Sequence, residues 1–562
     1  MPNLSDHDIR QMDEAWQSAQ SESVVRSLLM RTLEDLRVAR DRLGQNSSNS
    51  SRPPGSMAPW QRNETKVPSG DSQNEAQDRE DAGVGSADET RMPEGTGPHR
   101  DDEDAQAKPS ERTKAAPLPI PRRPGRAVGA PGHGRTQKLT PTHFEYKYPT
   151  HCAACQRPFT QERPGEAWTA WDTLELRPLS APKDSAPLHL GLHIEVKRHT
   201  LMQQRCPCGH HTRARAQRDV GKDLWKGVDI GEQRLLGPRL AAAVVYLSQR
   251  MRLPRRKVQE LLYELFGLEM STALIDQTLK QTARSVEPLQ DELAQQLEAA
   301  VLVHADETSW PESALRLWLW VLCCSHTVLY VIGARTKEMF DNALSIRFMG
   351  LFMSDGYAAY RQRPNRLRCW AHLMRKLCGV SESTDQRAAQ AGKAMLELFA
   401  ALMAGVYQAR EQLQAMPPGH DRPAPPVLTH ARQLGQLKAL CITHRDAQHE
   451  ALRSIAREFL NDWEAIMRVL SCPLLPLTNN AAERQLRHWV IARRISYGTR
   501  NLIGSNSLAL LASVIDTCRL RGASVTDMLA KAIEAARLGL PAPKLPPIPA
   551  HLLGHAGALM GK

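Results

Sequence analysis

Leu477-Thr478-Asn479-Asn480-Ala481-Ala482-Glu483-Arg484-Gln485-Leu486-Arg487 sets one carboxylate among cationic and amide side chains near a helix start. Pro473 and Pro476 precede it, Thr478 or Asn479 is positioned to cap the first turn, and Ala482, Leu486, Trp489 and Val490 recur at helical spacing. Glu483 then falls in the first or second turn, where the helix dipole favours its charged form. Arg484 stands beside it and Arg487 one turn on, so the plainest reading is a surface Glu–Arg helix pair. The sharper reading makes Glu483 a metal ligand.

Two earlier segments favour the sharper reading. Ala299-Ala300-Val301-Leu302-Val303-His304-Ala305-Asp306-Glu307-Thr308 is an apolar run ending abruptly in acid, and Gly350-Leu351-Phe352-Met353-Ser354-Asp355-Gly356-Tyr357 repeats that shape. Each reads as a buried strand delivering an Asp at its C-terminal end, where α/β sheets hold their ligands. Three carboxylates without a thiolate suit a hard ion such as Mg²⁺ or Mn²⁺. Leu315 to Leu322 and Thr327 to Ile332 read as two further strands between the two Asp segments.

The segments His304-Ala305-Asp306-Glu307-Thr308, Ser354-Asp355-Gly356-Tyr357, Cys369-Trp370-Ala371-His372-Leu373 and Asn480-Ala481-Ala482-Glu483-Arg484 follow one another in order. Asn46-Ser47-Ser48-Asn49-Ser50-Ser51-Arg52-Pro53-Pro54 lies upstream and Gly504-Ser505 downstream. Together they resemble the insertion sequence sixty-six transposases, a family of the DDE group. The resemblance implies an α/β RNase H-like catalytic core over 300–522, with a helical insertion at about 374–472. It also implies Asp306, Asp355 and Glu483 as catalytic ligands of two Mg²⁺ or Mn²⁺ ions, with Asp306 shared, Asp355 holding one ion and Glu483 the other.

Two such ions activate the attacking oxygen and neutralise the leaving one in an in-line phosphodiester displacement. The expected reaction is cleavage at the ends of an insertion sequence followed by attack of the freed 3′-hydroxyl on target DNA. Terminal inverted repeats and target DNA are then the partners, in a homo-oligomer that acts with accessory proteins of the same element. Cys369 and His372 fit a Cys-x-x-His string of the family group; with no second pair nearby in sequence, they read as packing and hydrogen-bonding residues beside the site. Two other functions fit the same acids: an RNase H-like nuclease without strand transfer, and a catalytically silent zinc-containing DNA-binding regulator derived from a transposase.

The 562 residues are 41% hydrophobic, enough for more than one core, and carry a formal charge of +12. The charge is uneven: between Asp71 and Gln106 twelve acids face three arginines, a local −9. A basic body points to a polyanion, with nucleic acid ahead of membrane lipid. The first residues lack a signal sequence, and no apolar run approaches the length that spans a bilayer, so a cytoplasmic location is expected. Eleven cysteines, an odd number scattered among apolar neighbours, read as reduced thiols.

Residues 1–44 hold a helix from about Glu22 in which Leu29, Leu33, Leu36 and Leu43 recur. It is a short coiled-coil seam or a helix packed on its own chain. Residues 45–138 are rich in Ser, Gly, Pro and charge and read as a disordered linker, whose basic half carries Arg122, Arg123, Arg126 and Arg135. In 139–215, Cys152-Ala153-Ala154-Cys155 and Cys206-Pro207-Cys208 supply four thiolates for a structural Zn²⁺. The second pair is CxC where the family has CxxC, which leaves His210 or His211 as a substitute ligand.

Residues 216–299 are helical. Arg255, Arg256 and Lys257 open one helix, Gly267 breaks it, and Ser271 caps a second, a spacing that fits a DNA-binding helix-turn-helix and equally any helical hairpin. Arg484, Arg487, Arg493, Arg494 and Arg500 around the acidic helix are phosphate-clamp candidates. Residues 523–562 hold a last helix and a Pro-rich tail.

Overall fold

The computed structural model describes residues 21–43, 137–159, 165–178, 191–416 and 422–553. The chain divides into one unit made of Met1–Arg62 and Leu139–Lys562 and a second made of Asn63–Lys138. Apart from Gln137 and Lys138, the linker expected over 45–138 lies outside the described residues, together with its four arginines. The architecture of the larger unit is mixed α/β. Among the described residues no helix is long and apolar enough to cross a membrane.

Helix α1 (Glu22–Leu43) leaves Leu29, Leu33 and Leu36 exposed. A small sheet follows, built from β1 (His143–Lys147), β2 (Glu166–Pro178), β3 (Leu192–Arg205) and β4 (His211–Arg213), with β3 central to the other three. One end of the β2–β3 ribbon is locked to the rest of the chain. Leu174 enters the main core, and Glu175 Oε1 accepts hydrogen bonds from the N–H groups of Arg239 and Leu240 at 3.0 and 3.2 Å. That carboxylate satisfies orphan donors at the start of α2 (Pro238–Gln249). A short pair, β5 (Arg218–Asp219) and β6 (Ile230–Gly231), precedes that helix.

Helices α3 (Arg255–Phe266), α4 (Thr272–Val286) and α5 (Leu289–Glu298) complete the helical region. Gly267 ends α3 at φ +63°, a left-handed conformation that glycine takes without steric cost, and Ser271 caps α4 by accepting from Leu274 N–H as expected. The second helix of the pair is a core helix: Ile275, Thr278, Leu279, Gln281, Thr282, Ala283, Ser285 and Val286 are all buried.

The central sheet contains β7 (Leu302–Glu312), β8 (Leu315–Cys323), β9 (Val328–Gly333), β10 (Leu351–Ser354) and β11 (Arg366–Arg368) in the order β11-β10-β7-β8-β9. The first three strands run antiparallel, and β10 and β11 run parallel to β7. Helix α6 (Lys337–Ala343) makes the crossover to β10. Strand β8 is buried from Leu319 to Cys323 because both faces are covered. Trp320 and Leu322 pack with the helical region, whereas Leu319 and Val321 pack with Ala482, Leu486 and Trp489 on the opposite face.

From β11 the chain enters α7 (Trp370–Ser381), α8 (Gln386–Ala415), α9 (Pro426–Thr429), α10 (Ala431–His444), α11 (Glu450–Asn461) and α12 (Trp463–Ser471), which share their own apolar core. Arg366 and Arg368 on the edge strand pair with Asp462, and Arg368 also with Glu458, tying these helices to the sheet. Helices α13 (Asn480–Ser496), α14 (Leu502–Leu520) and α15 (Val525–Arg537) return the chain to the sheet and close the core.

Candidate functional site

Strand β7 does not end at its acid, as the apolar run implied; it continues to Glu312, with Asp306 in its middle. The reason lies in its two edges. On the β8 side pairing persists from His304 to Glu312, whereas on the β10 side it stops at His304, opposite Met353. Extending the parallel register by two residues aligns Asp355 with Asp306 where the sheet opens between the two strands. Asp355 follows the last residue of β10, as expected, and its Oδ1 accepts from Tyr357 N–H at 2.9 Å.

Helix α13 brings Glu483 within electrostatic reach of Asp306 through contacts between distant segments, although among the described residues Asp306, Asp355 and Glu483 do not gather their oxygens within 4.8 Å of one another. Cys369 N–H donates to Ser354 O at 3.1 Å, Trp370 N–H donates to Leu477 O at 2.8 Å, and Asn479 N–H donates to Cys369 Sγ at 3.3 Å. Asn479 stands at the N-cap position, yet neither it nor Thr478 supplies the side-chain cap expected. Its amide reaches sideways instead: Nδ2 donates to Ala305 O at 2.8 Å, and Oδ1 lies 3.1 Å from His304 Nδ1. With Oδ1 as acceptor, the His304 proton is assigned to Nδ1. Burial drives the His304 pKa down to about 4, so this clamp is neutral. Asn479 thus binds the segments that carry Asp306, Asp355 and Glu483 to one another.

The acids of the opening are buried and act on one another. Burial, and then the carboxylates of Asp355, Glu307 and Glu483, hold the Asp306 carboxyl well above its ordinary range. Glu483 is also raised, chiefly by burial and, against the pull of Arg375, by Asp355. Glu307, next to Asp306, is a fourth acid that reading the sequence passed over. Arg335 Nη2 pairs with it at 2.7 Å and Tyr360 Oη donates to its other oxygen, while the guanidinium lies 4.1 Å above the Tyr357 ring. Arg335 therefore neutralises Glu307 and braces the loop after Asp355.

The Glu–Arg helix pair is not formed: among the described residues neither Arg484 nor Arg487 pairs with Glu483, and both are exposed. Glu483 Oε1 faces His372 Nδ1 at 3.8 Å, and Cys369, His372 and Glu483 offer ligand atoms within 4.8 Å of one another. Arg493 turns inward, donating to Thr308 Oγ1 at 2.9 Å and to Ser309. Arg494 and Arg500 are on the surface of the same region. Farther away in sequence, Arg255 pairs with Asp276 and Lys257 with Glu260 at 2.8 Å, while Arg256 is exposed.

The four cysteines form a separate cluster. Cys152 and Cys208 sulfurs are 3.6 Å apart, those of Cys155 and Cys206 3.5 Å, and all four lie within 4.8 Å. Sulfurs about 3.8 Å apart are what tetrahedral Zn–S bonds of about 2.3 Å require, so the cluster fits that ion. The CxC spacing suffices because Gly209, at φ +88°, closes a tight turn in which its N–H donates to Cys206 O at 2.9 Å. His210 and His211 are exposed and are not in the cluster. The N–H groups of Cys155 and then Ala154 pull the Cys152 thiol down to about 6, whereas, against the N–H of Cys208, burial and the neighbouring thiols push Cys206 up to about 12.

Residues 233–507 match the model of the Transposase IS66 family. Two proteins of Sinorhizobium fredii resemble the chain over 324 residues: uncharacterized protein y4jD at 24% identity, over 52% of this chain and 61% of the relative, and uncharacterized protein y4qI at 23%, over 51% and 57%. The chain thus spans about six tenths of the length of the curated relatives it matches. A third, y4jO of the same organism, is 26% identical over 213 residues, 37% of this chain and 59% of its own length. Through the match that encloses Asp306, Asp355 and Glu483, residues 233–507 of the chain are those of the IS66 transposase family, a DDE-type family.

Proposed function

We propose that this protein is a DNA transposase that cuts the ends of an insertion sequence and joins the freed 3′-hydroxyl to target DNA. The observation that carries this reading is that Asp355 and Glu483, from a strand end and a helix start, both act on the buried carboxyl of Asp306 beside the gap where β10 stops pairing with β7. The strand order, three antiparallel strands followed by two parallel ones added beside the first, supports an RNase H-like core. Bound Mg²⁺ or Mn²⁺ would supply the positive charge that a phosphodiester needs at its attacking and leaving oxygens.

The remaining work belongs to the chain. Asp306, Asp355 and Glu483 would be the acceptors for such ions; burial first, and then neighbouring carboxylates, raise the proton affinities of Asp306 and Glu483. Asn479 and Cys369 keep the three supporting segments in register, and Arg335 holds Glu307 out of the competition for ions. Exposed Arg484, Arg487 and Arg500, with Arg494, present cations to DNA phosphates beside the acids, and Arg256 does so from α3. Arg493, Arg255 and Lys257 are already engaged, so their contribution to DNA is through contacts exchanged or shared. The four-cysteine cluster holds zinc and stabilises the small sheet.

The test is an assay of element-end DNA with Mg²⁺ or Mn²⁺, scoring both strand cleavage and joining to a second duplex. Wild-type protein cuts and joins; Asp306→Asn, Asp355→Asn and Glu483→Gln each lose roughly 10²–10³-fold or more, the scale of removing one electrostatic partner from a preorganised site, and still bind DNA. Cleavage without joining would instead make the protein a nuclease. Wild-type rates in any of the three variants would remove that residue from the site.

A further inference from the structure

We propose that Cys369, His372 and Glu483 form a second, mixed-ligand metal site for a borderline divalent ion such as Zn²⁺, distinct from the four-cysteine cluster and sharing Glu483 with the acidic opening. Three observations carry this. First, the ligand atoms of these residues lie within 4.8 Å of one another. Second, His372 Nδ1 and Glu483 Oε1 face each other at 3.8 Å, too far apart for a hydrogen bond. Third, each of those two atoms is buried and makes no hydrogen bond, although both belong to groups that bind strongly when they can.

A packing role would close that gap to hydrogen-bond length, whereas an ion bound between the two atoms requires it. Ligands about 2.0–2.3 Å from a tetrahedral zinc are separated by roughly 3.3–3.8 Å. The ligand set is also chemically coherent: a sulfur, an imidazole nitrogen and a carboxylate oxygen suit a borderline ion better than Mg²⁺. Cys369 occupies the N-cap position of α7, and His372 lies in the first turn of that helix. Glu483 comes from the first turn of α13, so the ion would pin two helix starts together. Binding releases the Cys369 thiol proton to solvent, and thiolate plus carboxylate then balance the divalent charge.

The consequence for the acidic opening is specific. One oxygen of Glu483 is committed to this ion, and its second oxygen is the one left for an ion held by Asp306 and Asp355. The proposal does not depend on those two aspartates, which supply none of its ligands.

The test is zinc content of the full chain after dialysis against a weak chelator. About two zinc ions per chain are expected for wild type, and about one for Cys152→Ser/Cys206→Ser, whose four-cysteine cluster is broken. In that double variant the zinc X-ray absorption spectrum should show one sulfur with nitrogen and oxygen neighbours. Adding Cys369→Ser or His372→Ala should remove the remaining ion. Asp306→Asn should keep both zinc ions whatever it does to DNA cleavage, which separates failure of this proposal from failure of the catalytic reading. Absence of zinc from Cys152→Ser/Cys206→Ser after zinc is supplied, or retained zinc without sulfur in its spectrum, would overturn it.

Discussion

The aspartates at the acidic opening ride on strands packed within the main core, whereas the four cysteines sit on two turns at the outer end of a small sheet. In the first region apolar packing and the Asn479 clamp hold the segments that carry the acids, so the repulsion on Asp306 is borne by the fold. In the second, Cys155 and Cys208 are exposed, and the turns are joined by hydrogen bonds such as Ala153 N–H to Thr212 Oγ1 at 3.0 Å rather than by a large apolar core, so a bound ion would add much of their stability. A core built this way should stand without metal, whereas the cysteine module should depend on it.

The largest expected effect follows from that contrast. Cys206→Ser should release the module's zinc, whose binding in small structural sites amounts to about 10–16 kcal/mol, and unfold the turns around Cys152 and Cys208. Hydrogen exchange should rise there and stop where Leu174 and Glu175 join the main core, leaving 302–323 protected. Equal loss of protection in the central sheet would mean that the two regions are not independent.

Asp462→Ala probes the core from its far edge. It strips Arg366 and Arg368 of their buried partner and should cost roughly 3–5 kcal/mol, read by denaturant titration. The zinc content should not change. A loss under about 1 kcal/mol would show that the pairs to Asp462 add little to the docking of the helices after β11.

Asp306→Asn should have a smaller effect of opposite sign in metal-free protein. Because the folded-state pKa of Asp306 is raised, its contribution to stability is full below the ordinary value of 3.8 and is lost as pH rises through the raised one. The variant should therefore melt roughly 2–4 °C higher than wild type at pH 8 and show less advantage at pH 5. Mn²⁺ should stabilise wild type and leave the variant unchanged; an equal Mn²⁺ increment in both would relocate the ion. The smallest effect is expected from Asn501→Ala, which removes the side-chain acceptor for Gly504 N–H at the start of α14 and should cost about 1 kcal/mol in the unfolding midpoint.

Much of this was legible in the sequence because it is written in short-range pattern. The apolar runs gave β8 and β9 to within a residue, and the Cys152–Cys155 spacing announced its cluster. What escaped reading depends on contacts between distant segments. That Asp306 is mid-strand follows from β10 ending early on one edge of β7. That Asn479 clamps β7 rather than capping its own helix depends on Ala305, 174 residues away. The role of Glu307 depends on Arg335 and Tyr360, 28 and 53 residues away. Cys369 and His372 lacked partners in sequence because their third neighbour, Glu483, lies on another helix.

The central claim is that three acids from separate segments grip the same divalent ions. Titration of the zinc-loaded full chain with Mn²⁺, following free Mn²⁺ by its magnetic resonance signal, tests it most directly. Wild type should take up Mn²⁺, and Asp306→Asn, Asp355→Asn and Glu483→Gln should each weaken uptake at least about tenfold, a loss that even outer-shell partners of a metal produce. Uptake indistinguishable from wild type in all three variants would contradict the account.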